Sequence, residues 1–119
     1  CAPVVRSFHA CHDAVEPVDS KVTLADGLEV PVAIMCHRKI AIVRVSKGTA
    51  VSVSEYGIVY DIRQLCRAGF PSGYDTAALV TALRTMRREG TVAKGERVLL
   101  VSTSGPSMAL GCQTGEARA

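Results

Sequence analysis

The sequence has no tryptophan, and aromatic residues make up only 4% of it. A core built on ring packing is excluded, so any interior must be aliphatic, made of Val, Leu, Ile and Ala. Paired cysteines are also lacking. Cys1, Cys11, Cys36, Cys66 and Cys112 form an odd set with no Cys-x-x-Cys spacing, which fits reduced thiols in a cytoplasmic protein better than a disulfide framework. No apolar run reaches membrane-spanning length and no signal-peptide pattern opens the chain, so no membrane partner is expected. Charge of one sign does not dominate, since the formal net charge is +3. The densest basic group is Arg84, Arg87 and Arg88 beside Glu89, the pattern of a solvated helix face. No basic stripe interleaved with aromatics is read from the sequence, so nucleic acid is not an expected partner.

What is present is a globular balance: 48% apolar and 21% charged residues in a chain of 119. That length suits one domain with a limited core. There is no internal repeat and no low-complexity tract. Cys1 where a Met would begin a chain suggests processing or excision from something longer.

Residues 2–10 read as a short helix, with Pro3 tolerated in its first turn and Val4, Val5 and Phe8 on one side. Residues 13–26 read as a connection broken by Pro17 and closed by the Asp26-Gly27 turn signal. A helix is expected from Pro31 to about Ser46 on a stripe of Ile34, Ala41 and Val45, although Ile40 to Val43 also suits a short strand. Lys47-Gly48 supplies a cation for the helix end and a glycine for its left-handed cap. Thr49 to Val53 alternates and is β-branched, predicting a strand. Ser54 is a plausible N-cap for a helix running to about Arg67 with Ile58, Ile62 and Leu65 inward. Gly69, Pro71 and Gly73 mark a loop.

Residues 75–89 are the strongest helix, capped by Asp75 or Thr76, with Ala78, Leu79, Ala82, Leu83 and Met86 as its apolar stripe. Val98 to Val101 is an uninterrupted apolar run of the kind found in a doubly covered parallel strand. Strands separated by helices predict an α/β fold, a partial three-layer α/β/α arrangement with mostly parallel strands and a candidate third strand near Val22 to Leu24. The domain would span residues 1–105 and the flexible tail 106–119.

Four stretches, taken in order, resemble the threonine synthase family of type-II pyridoxal-phosphate enzymes. They are Cys1-Ala2-Pro3-Val4-Val5-Arg6-Ser7-Phe8, Thr23-Leu24-Ala25-Asp26-Gly27-Leu28-Glu29-Val30-Pro31, Gly48-Thr49-Ala50-Val51-Ser52-Val53-Ser54, and Gly95-Glu96-Arg97-Val98-Leu99-Leu100-Val101-Ser102-Thr103-Ser104-Gly105. The resemblance covers most of residues 1–105. It implies the C-terminal portion of a large α/β domain and an enzyme that converts O-phosphohomoserine to threonine and phosphate with pyridoxal phosphate as cofactor. A cysteate-synthase-like replacement on O-phosphoserine fits the same motifs. The family's cofactor-bearing lysine and glycine-rich phosphate loop have no counterpart among these residues. The expected partners are therefore the missing N-terminal part of the enzyme or further copies of the chain, with a small amino-acid substrate, and the isolated chain is expected to be inactive.

The resemblance places Thr103 at the pyridine nitrogen of the cofactor. Its place beyond a predicted strand end agrees with where ligands gather on open α/β sheets. Ser102 and Ser104 flank it, and Asp75 and Thr76 open the late helix near the cofactor or substrate. For each the plain alternative is a loop hydroxyl or a helix cap. Two departures stand out: the family's Thr-Gly-Ser-Gly loop reads Thr103-Ser104-Gly105-Pro106 here, and Gly73-Tyr74-Asp75-Thr76-Ala77-Ala78 lacks the family's proline. His9, Cys11 and His12, and the pair Cys36-His37, are metal-ligating types in no standard zinc spacing, and a Cys nucleophile paired with His requires geometry. A small non-catalytic α/β module, binding a partner across a sheet edge or regulating an intact enzyme, is the reading from another class.

Overall fold

The structure is a computed structural model that describes residues 3–12, 23–28 and 34–106. The described residues form four α-helices and one short 3-10 turn, and no strand: α1 (Pro3–His9), the turn Asp26–Leu28, α2 (Cys36–Val45), α3 (Glu55–Arg67) and α4 (Tyr74–Arg88). No helix is long and apolar enough to cross a membrane, among the described residues. The chain divides into two compact units, residues 1–23 with 27–52 and residues 24–26 with 53–119.

The expected α/β layer is therefore corrected to an all-helical arrangement. Residues 49–53 and 97–101 have strand-like composition but enter no ladder. A strand exists only with a partner, and β propensity mostly measures how a side chain fits such a partner. Residues 97–101 make no backbone hydrogen bond to any described residue. Their side chains stand in solvent, with Leu99 87% exposed. Of the third expected strand, Thr23 and Leu24 are described and belong to no strand, while Val22 lies outside the described residues. So do Pro31 and most of the 13–26 connection and the 106–119 tail.

In the first unit α1 packs on α2. The buried α2 residue is Ile40, whereas the expected stripe of Ile34, Ala41 and Val45 is exposed. Arg38 interrupts that stripe, and the helix turns Ile40 inward instead. His9 Nε2 donates to the Ala50 carbonyl at 2.8 Å, and Arg44 Nη2 donates to the His12 carbonyl at 3.4 Å.

In the second unit α3 and α4 pack along their lengths. The core is Ala25, Ile58, Ile62, Ala77 and Ala78, with Val53, Leu65 and Tyr74 packed against it. The inward face of α3 is the one the sequence periodicity picks out. The buried face of α4 agrees only in part: Ala78 is buried as expected, but so are Thr76, Ala77 and Thr81, while Leu79 is exposed. Two residues of α3 draw α4 round to its Thr81 side. Gly57 permits close approach, since a β-carbon there would lie 2.5 Å from Thr81 Cγ2. Asp61 is 1% exposed and accepts from Thr81 Oγ1 at 2.9 Å and from Arg84 Nη2. Thr81 Oγ1 also lies 3.0 Å from the Ala77 carbonyl, so its single proton has two acceptors.

Each helix among the described residues is closed by the same device. The residue after the C-cap is left-handed, and the next amide bonds back to the carbonyl five residues earlier: His12 to Ser7, Gly48 to Val43, Phe70 to Leu65 and Thr91 to Met86. Gly69 and Gly90 hold the left-handed position in α3 and α4, but Cys11 (φ 59°) and Lys47 (φ 54°) hold it in α1 and α2. The left-handed residue at the end of α2 is thus Lys47, one place before the glycine expected to serve. A residue with a β-carbon is strained there.

Candidate functional site

The second unit gathers the hydroxyl-bearing residues singled out in the sequence at one place, the N-terminus of α4. Ser54 shows how a capped start looks in this chain: its Oγ accepts from the Gly57 amide at 3.1 Å. The start of α4 differs. Its N-cap is Gly73, which has no side chain to offer, rather than Asp75 or Thr76. Those two fall one and two residues inside the first turn. Asp75 there suits the positive end of the helix dipole.

Residues 102–105 run across this start. Ser102 Oγ and Thr76 Oγ1 are 2.8 Å apart, and the Gly73 amide donates to the Ser104 carbonyl at 3.2 Å. The approach is close enough that a β-carbon on Gly73 would lie 2.7 Å from Ser104 Cβ and 3.1 Å from the Gly105 carbonyl oxygen. Gly73 is therefore required here by contact. Thr103 sits between the two anchored serines and is exposed, Ser104 is half-buried and Thr76 buried.

The buried hydroxyls of Ser72 and Ser104 have no hydrogen-bond partner among the described residues. A buried polar atom without a partner costs about 1–3 kcal/mol, so such atoms tend to mark a site where something polar belongs. In the sequence Ser72 carries no mark, and Gly73 stands out only as a loop residue and as the first residue of the stretch that lacks the family's proline. The signal for them was the absence of any capping side chain at position 73 before a strong helix.

Of the five expected site residues, the structure brings Ser102 and Thr76 into contact and draws Ser104 to the N-cap. Thr103 is carried between them, and Asp75 stands in the adjacent first turn. The arrangement can donate and accept hydrogen bonds, and it orients an uncharged edge better than it moves a proton. Neither lysine nor histidine belongs to the cluster. No group of three or more His, Cys, Asp or Glu residues is placed to hold a metal ion, among the described residues. His9, Cys11, His12, Cys36 and His37 accordingly assemble no ligand set.

The Ser72 and Ser104 hydroxyls, without a partner among the described residues, have bonding capacity to spare. No family model, no curated protein and no solved structure matches the chain.

Proposed function

We propose that this chain supplies one wall of a pyridoxal-phosphate site in a threonine-synthase-type enzyme acting on O-phosphohomoserine, with the cofactor-bearing lysine contributed from outside these residues. The reading rests on the four sequence stretches that resemble that family. The observation that carries it is the Thr76–Ser102 hydrogen bond, which fastens the hydroxyl-bearing segment across the start of α4.

In this role Thr103 meets the pyridine nitrogen with a neutral hydroxyl, which leaves that nitrogen unprotonated. Ser102 and Ser104 hold Thr103 in place through Thr76 and the Gly73 amide. Asp75 lies in the first turn beside them. When bound, the cofactor stabilises negative charge developing on substrate carbon, and the protein orients it.

The test is to express the chain joined to the N-terminal part of a threonine-synthase-type enzyme that carries the cofactor lysine and glycine-rich loop. The assembled protein should retain pyridoxal phosphate through gel filtration and release phosphate from O-phosphohomoserine, while the chain alone should do neither. Thr103→Val should keep the cofactor, shift its absorption band and slow phosphate release about tenfold or more. An assembly that retains no cofactor, or a Thr103→Val variant with unchanged spectrum and turnover, would sink the reading.

A further inference from the structure

Away from the 102–104 cluster, α3 turns a narrow stripe outward. Tyr56, Tyr60, Arg63 and Arg67 follow at intervals of four, three and four residues. At 3.6 residues per turn they fall within about 60° of arc, opposite Ile58, Ile62 and Leu65. All four are exposed, Tyr56 at 83%. Arg84 of α4 widens the stripe, with its guanidinium carbon 4.9 Å from the centre of the Tyr60 ring and its Nη2 held by Asp61. Arg63, Arg67 and Arg87 form no ion pair with any described residue.

The composition is not that of an ordinary solvated face. The basic residues of α3 and α4 are all arginine, with no lysine in either helix. Arginine differs from lysine in being planar: it stacks on rings and grips phosphate through two parallel hydrogen bonds.

We propose that the outer stripe of α3, flanked by Arg84, binds single-stranded nucleic acid. The exposed ring of Tyr56, and the face of Tyr60 turned away from Arg84, take unpaired bases by stacking, and Arg63 and Arg67 take the phosphates that follow. A duplex offers phosphates but keeps its base faces covered, so it leaves the tyrosines unused. A lipid surface wants aliphatic or indole side chains to insert, and the stripe has none. A second copy meeting this face with its own would set arginine against arginine. The sequence hides the feature because its members are never adjacent. Only the helix lines them up.

The experiment uses the full 119-residue chain and fluorescence anisotropy with short labelled oligothymidine and oligoadenosine. The same sequences as duplex, polyglutamate and phosphatidylserine vesicles serve as rival ligands. Single strands are expected to bind at low salt and more tightly than any rival. Tyr56→Ala, at a solvent-facing position, should weaken single-strand binding about fivefold or more without changing the salt dependence. Arg63→Ala with Arg67→Ala removes two phosphate contacts, so the slope of log affinity against log salt should fall by about 1.4. Circular dichroism checks that both variants stay helical. The proposal is overturned if single strands fail to bind, if a rival ligand binds as tightly, or if folded Tyr56→Ala binds like the parent chain.

Discussion

Breaking the buried pair of the second unit from its two ends should give unequal results. Arg84→Leu removes the cation and leaves the Asp61 carboxylate, 1% exposed, with only the Thr81 hydroxyl as partner. Removing one partner of a buried pair costs about 3–5 kcal/mol. The Arg84 side chain is 57% exposed, so water reaches the gap, and about 2 kcal/mol is the expected loss. Asp61→Leu removes the buried charge instead. Arg84 then returns to water, Thr81 keeps its bond to the Ala77 carbonyl at 3.0 Å, and an aliphatic group of similar size fills the space. That change should cost within about 1 kcal/mol. Arg84→Leu also loses its contact over Tyr60, worth about 0.5–1 kcal/mol at an exposed site. The double variant Asp61→Leu/Arg84→Leu is the reference that removes this contribution. Urea unfolding followed by helical circular dichroism gives all the differences. If Asp61→Leu destabilises the helices as much as Arg84→Leu, the asymmetry argument fails and the pair is a net stabiliser.

Other substitutions probe contact and backbone strain. Gly57→Ala should destabilise by about 1–3 kcal/mol despite alanine's better helix propensity, because its β-carbon meets Thr81 Cγ2 at 2.5 Å. Adding Thr81→Ser, which deletes that methyl, should restore most of the loss in thermal melts. Lys47→Gly should raise the melting temperature of the first unit, since relief of a left-handed residue with a β-carbon is worth about 1 kcal/mol. An unchanged or lower melting temperature would refute that. Gly73→Ala should push residues 104–105 off the start of α4, read as faster amide exchange at Gly73.

The helices were largely legible in the sequence. Ser54 caps α3 and Ile58, Ile62 and Leu65 face inward, because these signals lie within one turn of the residues they govern. The face of α4 is legible only in part: Ala78 of the expected stripe is buried, but Leu79 is exposed and Thr76, Ala77 and Thr81 are buried instead. Gly57 and Asp61 decide it from another helix, and no pattern within 75–89 contains that information. The strands were misread for a related reason. Val98 to Val101 is a strand-former by composition, but pairing depends on a second segment, and none among the described residues supplies it. The grouping of Ser102, Thr103 and Ser104 with Asp75 and Thr76 came from family resemblance. Their meeting at one helix start is a fact of the fold, while the anchoring role of Gly73 and the unsatisfied Ser72 hydroxyl had no sequence signal strong enough to single them out.

The unpaired stretch after Glu96 has a practical consequence for anyone handling the protein. Proteases thread their substrates as single lengths of backbone free of other hydrogen bonds, and Arg97 followed by Val98 presents a tryptic cleavage point in just such a length. A cut there would release the serine- and threonine-bearing segment from α4 while sparing both long helices, so the rate of nicking is a ready gauge of whether anything has come to cover it.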